Sequence, residues 1–206
     1  MRRTILVIAL LITAVSSTFA QFTIGPKIGL NMTKEYAGIE GIDEDVDFKL
    51  GLNIGLFGRY GINDRFNMQA EVLYSQQGYK SDIILADING ALQGIGYKAS
   101  SHYLNIPLSL RFYLLKRFYI EAGPQIGFCI DSNFSSDNAD VENAMKELNT
   151  DYNTLDFSLA GGIGYDIGYG LSINARYVHG FTKTLTESPW KNRVIQLSIA
   201  YDLWSF

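Results

Sequence analysis

From Tyr103 to Ile130 the chain alternates, residue by residue, between apolar and small or polar side chains. Leu104, Ile106, Leu108, Leu110 and Phe112 take turns with Asn105, Pro107, Ser109, Arg111 and Tyr113. After the break Leu114–Arg117 the pattern resumes. Phe118, Ile120, Ala122, Pro124, Ile126, Phe128 and Ile130 then oppose Tyr119, Glu121, Gly123, Gln125, Gly127 and Cys129. A period of two is the signature of a β-strand, whose side chains point to opposite faces in turn. The stretch is therefore a hairpin with one uncharged apolar face and one small, polar face carrying Arg111 and Glu121. Each arm matches the ~9–11 residues that a tilted strand needs to cross a bilayer.

The same pattern recurs along the chain. Strands are expected at Phe22–Met32, Phe48–Tyr60, Phe66–Tyr79, Tyr103–Tyr113, Phe118–Ile130, Thr154–Ile167, Leu171–His179 and Arg193–Leu203. The connections alternate. Short turns fall at Gly61–Arg65, Leu114–Arg117 and Gly168–Gly170, while Thr33–Asp47, Lys80–Ser101, Asp131–Asn153 and Gly180–Asn192 are longer. Within Asp131–Asn153 the segment Asp140–Leu148 has the pattern of a short helix. Eight strands with alternating short and long links match a membrane barrel with short periplasmic turns and longer extracellular loops. Aromatic residues at the strand ends, such as Tyr60, Phe66, Phe112 and Phe118 by the turns and Phe48, Tyr74, Phe128 and Tyr177 by the loops, match two interfacial girdles.

A soluble eight-stranded barrel has the same period, and volume discriminates against it. Eight strands enclose room for side chains or one small ligand. The Phe, Leu and Ile of eight apolar faces would overfill that space. The other face is rich in glycine and carries Lys27, Lys49, Arg59, Arg111 and Arg176 against Glu71, Glu121, Asp156, Asp166 and Asp202. Equal numbers of cations and carboxylates suit mutual neutralisation in a narrow lumen, where an enclosed charge needs a partner. The fold class expected is all-β, an eight-stranded antiparallel up-and-down transmembrane β-barrel over residues 21–206. The hairpin pair Arg111–Glu121 is expected at the centre of the lumen network, with Glu71, Lys49, Arg59 and Arg176 as its partners.

Residues 1–20 have the form of a signal peptide: Arg2 and Arg3, an apolar run from Ile5 to Val15, then Thr18-Phe19-Ala20. The run is shorter than the ~20 residues of a spanning helix. Removing the two arginines takes the formal charge from −4 to −6, and no basic stripe suggests nucleic-acid binding. Cys129 is the only cysteine, so no internal disulfide forms.

Several stretches resemble a known family. Gly25–Asn31 (GPKIGLN), Gln69–Lys80, Tyr103–Tyr113, Phe118–Phe128, Asn174–Thr182 and Ile195–Leu203 look like the PorT-type outer-membrane β-barrels of Bacteroidota, and more broadly the OmpA and OmpX class. The resemblance implies an outer-membrane location, assembly by the barrel-assembly machinery, contact with outer-membrane lipid and lipopolysaccharide, and for some members service to secretion-system or other envelope proteins. Such chains commonly end on an outward-facing aromatic. Here Leu203 continues the outward register and Phe206 has the opposite parity unless the strand bulges. Either Leu203 fills the usual place or the strand shifts.

Catalysis has little support in the residues. His102 and His179 lie at loop-side strand ends near Ser100, Ser101 and Thr182, without the nucleophile–base–orienter spacing of a triad. Glu71 and Glu121 read better as ion pairs than as an acid/base couple. The acidic stretches Lys34–Asp47 and Asp131–Asn153 suit a solvated surface or, less well, divalent cations held with lipopolysaccharide phosphates. The expected role is a structural or interaction protein of the cell envelope, with no catalytic site, cofactor or metal. A narrow or gated porin-like channel and a secretion accessory protein are the alternatives.

Overall fold

The structure is a computed structural model and describes residues 21–36, 47–86, 92–136, 153–183 and 191–206. The signal peptide expected at residues 1–20, the centre of each acidic stretch and the helix expected at Asp140–Leu148 lie outside the described residues. Eight long strands follow in chain order: β1 Phe22–Tyr36, β2 Asp47–Gly61, β3 Phe66–Ala86, β4 Leu92–Tyr113, β5 Phe118–Ser136, β6 Leu155–Gly168, β7 Leu171–Lys183 and β8 Lys191–Tyr201. A two-residue β9, Trp204–Ser205, ends the chain. Each strand pairs antiparallel with its sequence neighbours, and β1 pairs with both β2 and β8. The sheet is thus closed, which removes the unpaired edges that a membrane does not tolerate.

Burial inverts that of a soluble protein. The apolar faces point out: Leu50 is 67% exposed and Leu56 64%. The polar faces point in: Lys27 and Arg111 are each 1% exposed and Arg176 2%. This is the orientation argued from volume, and every strand keeps it because one register step would exchange the faces. Short turns close one end of the barrel at Ile62–Arg65, Leu114–Arg117 and Tyr169–Gly170. In the last, Tyr169 itself takes a left-handed backbone (φ 55°) between Gly168 and Gly170, both also at positive φ. Gly168 and Gly170 take their positive φ without steric cost, whereas Tyr169 carries the cost of its own Cβ.

Two departures from the sequence reading stand out. The segment Lys80–Ser101 is mostly paired strand, with Lys80 opposite Lys98 and pairing continuing to Ala86 opposite Leu92. β5 likewise runs on to Ser136, opposite Tyr97. Outside a hydrocarbon layer no lipid-facing side is required, so a strand need not alternate strictly there.

The second departure settles the last strand. Lys27 faces Ala200 and Ile28 faces Ile199, but Ile24 faces Trp204, a shift of one residue. The bulge lies at Asp202–Leu203, and the Phe206 amide donates to the Phe22 carbonyl at 2.9 Å. The extra residue reverses parity. Trp204 and Phe206 therefore both face outward, 59% and 61% exposed.

Candidate functional site

The inward face of the barrel is the site that the fold builds. In the hairpin β4–β5, Tyr113 faces Tyr119 and Arg111 directly faces Glu121. Arg111 Nε donates to Glu121 Oε2 at 3.1 Å, and its guanidinium lies 4.3 Å from the centroid of the Tyr119 ring. Tyr119 in turn leans across β6, its ring occupying the space that a side chain at Gly164 would need, 2.1 Å from the ideal Cβ position.

The centre of the network is Arg176 on β7, not the hairpin pair. Arg176 Nε donates to Glu121 Oε1 at 2.7 Å. Its Nη1 and Nη2 reach Glu71 Oε2 and Oε1 on β3 at 3.1 and 2.7 Å. In the closed order of eight strands, β3 and β7 stand four apart and so on opposite walls. The Arg176–Glu71 pair therefore bridges the full bore. Lys27 on β1 donates to both Glu71 oxygens at 3.0 Å. Gln69 Nε2 adds 2.6 Å to Glu71 and Asn174 Nδ2 adds 3.0 Å to Glu121.

Three cations and two carboxylates, drawn from five strands, thus form one continuous buried cluster with a formal charge of +1. Enclosed ions are costly unless their remaining hydrogen-bonding groups are met as well. The amides of Gln69 and Asn174 do this for the two carboxylates, while Nη1 of Arg111 has no hydrogen-bond partner. A second polar layer binds β8, β1, β2 and β3 together. Asn53 donates to Asn31 at 2.7 Å, Asn31 to Ser75 at 2.9 Å and Ser198 to Asn53 at 3.3 Å.

The other inward charges stand apart from this cluster. Lys49, expected beside the hairpin pair, instead donates to the carbonyls of Gln77 and Ala99 at 2.8 and 3.2 Å and to Ser100 Oγ at 2.7 Å. Arg59, also expected there, pairs with Asp202 at the C-terminal bulge. Asp166 accepts from the Tyr113 hydroxyl at 3.0 Å, and Asp156 accepts from Ser158. Face assignment from sequence places all ten charges in the lumen. It carries no information on height along the bore, which is set by strand tilt and shear. Gln69, Asn174 and Tyr119 were legible only as inward residues, with nothing to mark them as members of the cluster.

The histidines have other attachments. His102 stacks on Tyr74, ring centroids 5.7 Å apart, with its Nδ1 2.6 Å from the tyrosine hydroxyl. His179 lies beside Tyr177 and edge-on to Phe181. Ser100 is held by Lys49, and Thr182 Oγ1 accepts from the Phe157 amide at 2.8 Å. Glu71 and Glu121 each hold two cations, so both act as ion-pair partners.

An apolar belt outside and a cross-linked polar filling inside define a small transmembrane β-barrel. Residues 16–186 match the outer membrane protein beta-barrel domain family, and the chain belongs to that family of outer-membrane barrels. No match is found among curated proteins. Among solved structures, Neisserial surface protein A is similar at 10% identity and TM-score 0.53, the match covering 87% of this chain and 97% of that one. Ail, the attachment invasion locus protein of Yersinia pestis, matches at 14% identity and TM-score 0.47, covering 88% and 97%. The outer membrane protein OprG of Pseudomonas aeruginosa matches at 14% identity and TM-score 0.42, covering 88% and 94%. At such identities the likeness is one of fold.

Proposed function

We propose that this chain is a closed, non-catalytic barrel of the cell envelope that works through its outer surfaces rather than through a pore. The observation that carries this is the Arg176 side chain, which spans the bore from β7 to Glu71 on β3. An ion-paired side chain across a narrow lumen blocks a continuous water column. In this reading residues 1–20 direct export, the barrel-assembly machinery recognises the outward C-terminal aromatics, and the extracellular ends of β3, β4 and β5 meet outer-leaflet lipid or envelope proteins. The resemblance to PorT-type barrels of Bacteroidota supports a finer version, in which the partner belongs to a secretion system.

Planar-bilayer recording tests the closed lumen. The wild-type protein is expected to show no stable ohmic conductance, while Arg176→Ala, which removes the bridge, admits brief openings. A large, steady wild-type conductance unchanged by Arg176→Ala would establish the porin-like alternative in its place.

A further inference from the structure

Asp156 on β6 is a lumen carboxylate without a counter-charge. It is 7% exposed, and the side-chain donor that meets it is the hydroxyl of Ser158. Among the described residues, no lysine or arginine pairs with it. The lumen cations are engaged elsewhere. Lys27, Arg111 and Arg176 hold Glu71 and Glu121, Arg59 holds Asp202, and Lys49 donates to carbonyls. An enclosed carboxylate left in this way is costly.

The neighbouring strands have oxygens to offer, and these too lack partners. Asn105 on β4 faces Gly127 on β5, and Gly127 faces Asp156. Gly127 has no side chain, and its neighbours share the space above it. Asn105 Oδ1 lies 2.6 Å, and Asp156 Cβ 3.4 Å, from the point where a Cβ would stand. The Asn105 amide thus leans across β5 towards Asp156. It is 1% exposed, and neither its Oδ1 nor its Nδ2 has a hydrogen-bond partner. One row nearer the short turns, Gln125 on β5 faces Ser158 on β6. Gln125 is buried, and its Oε1 is also unpartnered. Buried polar groups are rarely left unmet. Two such amides beside an uncompensated carboxylate mark a place that a ligand completes.

The donor set defines the ligand. Asp156, Asn105, Gln125 and Ser158 present oxygens from two adjacent rows of three adjacent strands. Strands stand about 4.8 Å apart and successive rows about 6.7 Å, so one ion can touch all four side chains. Oxygens alone suit a hard cation. Calcium takes about six to eight oxygens, carboxylate, amide and water among them, in a flexible geometry, whereas magnesium demands a near-ideal octahedron. Side chains of different length from three strands make an irregular set, which calcium tolerates. Water completes the shell from the loop side, where Asp156 keeps its residual exposure.

We propose that the lumen wall of β4, β5 and β6 binds one calcium ion through Asp156, Asn105, Gln125 and Ser158. The ion compensates the carboxylate, satisfies both amides and ties three strands together. It lies on the loop side of the Arg176 bridge, because Asp156 and Ser158 are on that side of Gly162, which faces Arg176. With a single carboxylate the dissociation constant falls in the weak range of about 10⁻⁴–10⁻³ M. The site therefore fills in a calcium-rich medium and empties in a poor one, and the stiffness of the loop-side barrel wall follows. None of this depends on whether the bore conducts.

The test is calcium chloride titration of the intact, isotope-labelled protein in neutral detergent micelles, read from its backbone amide resonances. The Gly127 and Ser158 amides are expected to shift and saturate with a midpoint of about 1 mM or below. Magnesium chloride and sodium chloride at matched ionic strength leave them in place. Asp156→Asn weakens the calcium response by at least ~10-fold. Gln125→Met and Asn105→Leu each keep size and charge but remove a ligand oxygen, and each weakens the response by about 3–10-fold. Glu44→Ala, in an acidic stretch, leaves it unchanged. Each variant is first shown to be folded by its heat-modifiable band on gels; if Asp156→Asn does not fold, the two amide variants decide. A wild-type Gly127 resonance that calcium does not move would overturn the proposal. So would a response undiminished in Asp156→Asn or in both amide variants, which would assign the calcium to the acidic stretches, or an equal response to sodium.

Discussion

Truncating Glu121 tests the lumen network most directly. In Glu121→Ala, Arg111 loses its carboxylate partner and keeps only the Tyr119 ring at 4.3 Å. Arg176 retains Glu71, and the formal charge of the cluster rises from +1 to +2. Stranding a buried ion in this way costs about 3–5 kcal/mol when the site is dry, and less where lumen water reaches it. Arg111→Met is the informative contrast. It removes a cation from a cluster with one to spare, bringing the charge to zero. Glu121 then still accepts from Arg176 at 2.7 Å and from Asn174 at 3.0 Å. Arg111→Met is therefore expected to cost at least ~2 kcal/mol less than Glu121→Ala, because no buried charge is left without a partner. The double variant should recover part of the Glu121→Ala loss, a coupling of about 1–3 kcal/mol. The assay is urea unfolding of vesicle-folded barrels, followed by tryptophan fluorescence and by the gel shift of the folded form. Two results would refute the reasoning: Glu121→Ala costing under ~1 kcal/mol, or Arg111→Met costing as much as Glu121→Ala.

Three further outcomes are expected. In a Cys129→Ser background, a membrane-impermeant maleimide should label Lys98→Cys on intact cells and Asn63→Cys only after permeabilisation; the reverse pattern means an inverted barrel. Gly164→Val should destabilise by about 1–3 kcal/mol, because the added methyls meet the Tyr119 ring, and Tyr119→Ala should restore most of the loss. Failure of that rescue in unfolding titrations would show that the two residues do not share space. Asp202→Ala removes the partner of Arg59 at a partly exposed site, so a loss of at most ~1 kcal/mol is expected. A much larger loss would mean that the C-terminal bulge depends on this pair.

The alternation of Leu104 to Phe112 and of Phe118 to Ile130 was sufficient to set strand and face, and the volume of the apolar side chains decided which face points outward. In a barrel the two faces meet solvents as different as lipid and an ionic lumen, and any error in parity places a charge in hydrocarbon. The short turns at Gly61–Arg65 and Gly168–Gly170 were equally legible, because glycine chemistry is local. Tertiary structure decided whatever depends on position along and around the bore. Arg176 and Glu71 are 105 residues apart, and meet only because β7 and β3 become opposite walls on closure. Lys49 and Arg59 have the same inward parity as Arg111 and yet sit at other heights. Parity is one binary choice per residue, whereas contact across a lumen also requires tilt and shear. The bulge at Asp202–Leu203 was likewise settled only by pairing with β1, since either register suited the local sequence. Beyond the bilayer, where no apolar face is needed, the strands from Lys80 to Lys98 left no period to read, and hydrogen bonding between neighbouring strands alone determined their course.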